Sequence, residues 1–259
     1  MKIDIGTCGY SRYQPPGNWK ETYDSKLQAY SDAFAAVEIN RTFYKLPMVK
    51  TAERWRREAG SGFEFTLKAW QAITHSMDSP TWRNKKDRLT EKQKRDFGDF
   101  RPNAAVMEAW QETRKRAEAL EAGIIVLQSP ASFNCTRGNE KNLRRFAEKI
   151  DRGKLTPAWE PRGDWNDSPD RIRSICRDMK LVHVVDLMRR PPLSDRPIAY
   201  IRLHGLNQRE TDVNYDYSRN ELKTLAGKLK ELASDHDRLY CMFNNMAMFD
   251  NAKTLRSLL

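Results

Sequence analysis

Glu38, Lys68, Glu160 and His204 carry the groups in this chain best suited to chemistry, and each stands within or at the end of a short apolar run. A carboxylate set among cations can serve as a general base, a histidine as an acid or a ligand, and a lysine as an anion holder or a nucleophile. Arg162 and Arg202 occupy equivalent places and offer the planar fork that grips phosphate or carboxylate. Asn40, Gln128, Asn244 and Asn245 add amides that orient a substrate by hydrogen bonds. These residues predict an enzyme acting on an anionic, phosphate-containing substrate, by hydrolysis at phosphorus or by isomerase or lyase chemistry at carbon. Lys68 has two readings, a Schiff-base nucleophile or an ion pair with Glu38, and the ion pair is the simpler expectation.

The spacing says where these groups point. Side chains alternate across a strand. Val37 and Ile39 oppose Glu38 and Asn40; Phe63, Phe65 and Leu67 oppose Glu64, Thr66 and Lys68. Trp159 and Pro161 oppose Glu160 and Arg162, and Ile201 and Leu203 oppose Arg202 and His204. The apolar sets must pack against covering elements, so the polar sets face inward together. Burying so much charge is costly unless the groups pair or bind a ligand. Tyr44, next to Phe43, either walls such a pocket or packs its mouth.

The elements that would hold them recur along the chain. Strand-like runs fall at 2–6, 36–40, 63–69, 123–128, 157–162, 181–186, 199–205 and 238–245, with helix-period segments between them. Ser218 and Glu221 form a capping-box pattern, and Ser168-Pro169 opens another helix. Eight strands, each followed by a helix, in 259 residues predict a single-domain α/β (β/α)8 TIM barrel. A doubly wound sheet is disfavoured, because no Gly-x-Gly-x-x-Gly follows a strand and no nucleotide cofactor motif appears. One connection departs from the rhythm. Residues 75–103, between strands three and four, hold Trp82, Lys85, Lys86, Arg88, Lys92, Lys94, Arg95 and Arg101. They form either a basic lid over the mouth or a solvated charged excursion.

Composition narrows the class. Lys and Arg number 46 against 35 Asp and Glu, a net charge of +11, which favours anionic partners such as small anions or nucleic acid. The aliphatic run 124–127 is far short of the roughly 20 residues of a membrane span, and the start lacks a signal-peptide core. Cys8, Cys135, Cys176 and Cys241 form no metal or redox spacing. We therefore expect a cytoplasmic protein with reduced thiols and no membrane partner; the sequence does not set an oligomeric state.

Several strand-end motifs resemble one family. They are Gly6-Thr7-Cys8-Gly9-Tyr10, Glu38-Ile39-Asn40-Arg41-Thr42-Phe43-Tyr44, and Phe65-Thr66-Leu67-Lys68-Ala69 running on to Ile73-Thr74-His75. Gln128-Ser129-Pro130, Trp159-Glu160-Pro161-Arg162 with Trp165, Tyr200-Ile201-Arg202-Leu203-His204-Gly205 and Phe243-Asn244-Asn245 continue the match. Together they resemble the YecE-like family, also called domain of unknown function 72. The resemblance implies a TIM barrel and no established reaction, and it places His75 beside the substrate-binding set. Tyr10 stands where the family more often has Trp, and Cys8 where Ser is commoner. A weaker, fold-level likeness links the family to endonuclease IV-like and xylose isomerase-like barrels, whose sites bind divalent metals. With only His75, His183, His204 and His236 available, a histidine-rich zinc centre is not expected. One Mg²⁺ or Mn²⁺ on Glu38, Glu160 and Asp186 is the metal alternative, giving a metal-dependent nuclease. The other alternative is a non-catalytic nucleic-acid binder, using Trp82, Lys85, Lys86, Trp110 and Arg114. Against it, Trp110 shares an apolar helix stripe with Val106 and Ala117.

Overall fold

Eight strands run parallel and close on themselves in chain order. They are β1 (Lys2–Thr7), β2 (Ala36–Ile39), β3 (Glu64–Lys68), β4 (Ile124–Gln128), β5 (Thr156–Glu160), β6 (Val182–Val185), β7 (Ile198–Leu203) and β8 (Arg238–Phe243). The structure is a computed structural model and describes residues 2–83, 87 and 89–259. The helices around the barrel are α1 (Lys26–Ala33), α2 (Val49–Ala59), α3 (Gln71–Thr74), α4 (Glu91–Asp96), α5 (Ala104–Ala119), α6 (Arg137–Lys149), α7 (Pro169–Asp178), α8 (Arg219–Leu232) and α9 (Met248–Arg256). None among the described residues is long and apolar enough to cross a membrane.

The fold corrects one expectation: β6 and β7 are joined without a helix, by the irregular stretch 186–197. Pro191, Pro192 and Pro197 remove backbone donors that a helix there would need.

Two apolar layers hold the barrel. Outward residues such as Val37, Phe65, Leu67, Trp159 and Ile201 pack on the helices. Inside, Ala36, Val126, Ala158, Val184, Tyr200, Tyr240 and Met242 fill the middle of the barrel. Below them Arg238 donates to Asp4 at 2.6 Å and pairs with Glu64 at 2.6 Å, closing the base. Gly6 is required where β1 meets β2, because a Cβ there would lie 2.0 Å from the Ala36 carbonyl oxygen. Gly6→Ala is expected to destabilise the protein by about 1–3 kcal/mol through this backbone clash, measured as a lower urea midpoint.

The excursion after β3 is anchored. Trp82, Phe97 and Phe100 are buried, and Trp82 Nε1 donates to the His75 carbonyl at 3.0 Å. Trp110 is likewise buried and donates to the Asp151 carbonyl at 2.9 Å. Neither indole is presented for stacking on a base, so the nucleic-acid reading loses its aromatic support. Lys85, Lys86 and Arg88 lie outside the described residues.

Candidate active site at the barrel mouth

Arg202 is the hub of the floor. Its guanidinium, 1% exposed, donates to Glu38 Oε1 at 2.9 Å and to Gln128 Oε1 at 3.1 Å, and pairs with Glu160. The second oxygen of Glu38 accepts from the Tyr200 hydroxyl at 3.0 Å, which in turn meets Thr66 at 2.6 Å. Glu160 also receives Arg162 Nε at 2.9 Å. Burial alone would raise the Glu160 pKa, but the Arg162 and Arg202 guanidiniums outweigh it and hold the carboxyl well below its usual range. Glu38 and Glu160 are thus occupied acceptors, a poor state for the general base that the sequence assigned to them.

His204 and Asp186 complete a second, closed group. Arg162 Nη2 lies 2.9 Å from His204 Nε2; since a guanidinium only donates, that nitrogen accepts and the ring is neutral. Burial drives the His204 pKa well below that of a free histidine. Asp186 accepts backbone N–H groups from His204 at 3.3 Å and Met188 at 3.0 Å, and burial pushes its pKa up to about 6. Glu160, Arg162, Asp186 and His204 surround a cavity of about 20 Å³, room for little more than a water molecule. His183 also borders this cavity, and its Nδ1 accepts from Leu193 N at 3.1 Å in the stretch that follows β6.

The open space lies on the other side of the mouth. A pocket of about 400 Å³ is lined by Cys8, Tyr10, Arg12, Asn40, Arg41, Tyr44, Lys68 and Asn244, among others. Among the described residues its charged lining is Arg12, Arg41 and Lys68, with no carboxylate. Asn40 Nδ2 donates to the Cys8 carbonyl at 3.3 Å and faces Asn244 Oδ1 at 3.5 Å, which sets the two amides side by side. The Cys8 thiol is pushed far up by burial, so it supplies no thiolate.

Lys68 does not pair with Glu38, contrary to the simpler expectation. Arg202 and Tyr200 take the Glu38 oxygens, and Lys68 Nζ instead lies 4.0 Å from the centre of the Phe43 ring. Burial first, and then the Arg202 charge, push its pKa down to about 8. The hydroxyl of Thr42 reaches the Ile39 and Lys68 carbonyls at 2.6 and 2.7 Å, tying the turn after β2 to the end of β3.

Two other candidates stand behind the pocket. His75 packs edge-on against Phe43 with ring centres 4.8 Å apart, and bonds Thr74 through Nδ1 at 2.7 Å. Burial and the Lys68 charge lower its pKa to about 3. Asn245 donates to the Tyr215 carbonyl at 2.8 Å and to Asn251 at 2.7 Å, fastening the loop after β7. Arg12 and Arg41 were not singled out from sequence; the only signal was that Arg41 directly follows Asn40.

The metal alternative does not fit. Among the described residues no group of three or more His, Cys, Asp or Glu side chains could hold a metal ion. Glu38 and Glu160 are bound up with Arg202, and Asp186 with backbone N–H groups.

These features define an eight-stranded parallel barrel with a cationic pocket beside a buried ionic floor at its C-terminal mouth. The chain belongs to the family described as protein of unknown function DUF72, whose model matches residues 4–259. It is similar to UPF0759 protein YunF of Bacillus subtilis (strain 168), 24% identical over 287 residues covering 99% of this chain and 94% of that protein. It also resembles the crystal structure of a DUF72 family protein from Thermotoga maritima MSB8, at TM-score 0.71 and 25% identity over 100% and 99% of the two chains. Likeness to an AP endonuclease, family 2, from Brucella melitensis (TM-score 0.52, 12% identity, 95% and 93% covered) is one of fold alone.

Proposed function

We propose that this protein is an enzyme acting on an anionic small molecule, carrying phosphate or carboxylate, in the pocket at the barrel mouth. The observation that carries this reading is the lining itself, which among the described residues holds three cations and no carboxylate. Arg12 and Arg41 grip the anion with guanidinium forks, and Asn40 and Asn244 orient the rest of the substrate. Lys68 exchanges a proton near neutral pH, since it titrates at about 8 while His75 and His204 stay neutral. The floor of Glu38, Gln128, Glu160, Arg162 and Arg202 holds β2, β4, β5 and β7 in register beneath it.

Isothermal titration with inorganic phosphate, glycerol 3-phosphate and acetate tests this. Phosphate-bearing ligands are expected to bind, and Arg12→Gln or Arg41→Gln to weaken them by ~10-fold each. Absence of anion binding, or binding untouched by both substitutions together, would reject the pocket. Salt-sensitive oligonucleotide binding that survives both substitutions would instead favour a non-catalytic nucleic-acid binder.

A further inference from the structure

Lys68 is an unusual lysine for a protein interior. Buried ammonium groups are ordinarily paired with carboxylates. Here Glu38 and Glu160 favour its charge through space but are themselves paired with arginines, and among the described residues the close contact of the amine is the face of Phe43. An aromatic face offsets only part of the desolvation of a cation. The positive groups beneath it, Arg202 and Arg162, further oppose its protonation. Lys68 is itself one of the residues lining the open pocket, so a ligand seated there lies beside it.

We propose that Lys68 is a covalent nucleophile, condensing through Nζ with the aldehyde or ketone carbon of a substrate whose carboxylate or phosphate is held by Arg12 and Arg41. The inference rests on the anion-binding reading of the pocket and adds the substrate class, a carbonyl compound bearing an anionic group. The neutral amine adds its lone pair to the carbonyl carbon; the C–N bond forms, the C=O π pair moves to oxygen, and the oxygen takes up a proton. The nitrogen of the adduct releases one proton to give the carbinolamine; a second protonation of the hydroxyl lets the C–O bond break and water leave as the nitrogen lone pair forms C=N, and the protonated imine can then release its remaining N–H proton. Amine plus carbonyl thus gives imine plus water, with no oxidant or reductant. Asn40 Nδ2 is taken by the Cys8 carbonyl and by Asn244 Oδ1, which turns the Asn244 amide so that its NH2 group is the one to donate to the oxygen as it gathers charge. Protonated, the imine draws electrons from the adjacent C–H or C–C bond, the step shared by isomerase and lyase chemistry at carbon.

The test uses the whole protein with glyoxylate, an aldehyde carrying a carboxylate, and sodium cyanoborohydride, which reduces an imine to a stable carboxymethyl-lysine. Peptide mapping then compares Lys68 with the exposed lysines of the same molecules. At pH 7 about a tenth of an amine titrating near 8 is neutral, against roughly one part in 3,000 for an ordinary lysine. Labelling of Lys68 is therefore expected to be at least ~10-fold faster than of exposed lysines, and to be slowed by inorganic phosphate. Lys68→Arg should lose that label alone, and because the comparison is internal to the unsubstituted protein it survives any folding defect of the variant. Labelling of Lys68 no faster than of surface lysines overturns the covalent role. Fast labelling indifferent to phosphate overturns the anionic substrate class. Phosphate binding in the titration without selective labelling leaves the anion pocket standing and removes only the imine.

Discussion

Arg202→Leu is expected to lower the stability of the protein by about 3–5 kcal/mol, read as a fall in the urea midpoint. The arginine is 1% exposed and is the shared partner of Glu38 and Glu160. Removing it leaves Glu160 with Arg162, but leaves Glu38 with only the Tyr200 hydroxyl in a dry interior. Glu38 would then be a buried carboxylate with no cationic hydrogen-bond partner, which is the costly outcome. Arg202→Leu combined with Glu38→Gln should recover part of the loss, because no unpaired charge is left behind. A single substitution costing less than about 1 kcal/mol would show that Arg202 is not the hub that ties β2 to β5.

The inward-facing polar sets were legible because period two and the apolar layer beneath the helices leave no second solution: Phe65 and Leu67 cannot face the same way as Lys68. The partners within the barrel were not legible. Glu38 is nearer in sequence to Lys68, yet Arg202 reaches it from across the axis, and that depends on strand stagger rather than on any local pattern. Asn244 and Asn245 were read alike as amides following the last strand, but they lie just beyond β8, where strand alternation no longer assigns a face; Asn244 lines the pocket and Asn245 bonds Tyr215 and Asn251. Arg12 and Arg41 lie in turns, where no periodicity tells which way a side chain points. The expected helix between β6 and β7 failed for a local reason that was visible, a chain with three prolines in seven positions, 191–197. The division of the polar residues into an open pocket and a closed cleft depends on how loops cover the mouth, which strand patterning does not encode.

Lys68→Met is expected to stabilise the protein at pH 7 by about 3 kcal/mol, the opposite sign to most substitutions at a site this buried. Methionine fits a slim, unbranched space and lies well against the Phe43 ring. The gain comes from the charge. Burial and Arg202 lower the folded-state pKa to about 8, against an ordinary value of 10.5. Below pH 8 both states hold the proton, and the folded protein bears the full cost of a desolvated ammonium. Between 8 and 10.5 the unfolded chain binds more protons, so the stability of the unsubstituted protein rises with pH and the advantage of Lys68→Met should fade. Urea titrations at pH 7 and pH 10 read the difference directly. A loss of stability at pH 7 would mean that the amine has an ionic partner worth more than its burial costs. A gain that vanishes at high pH would show a cation retained against stability, and the open pocket beside it is where such a group has work to do.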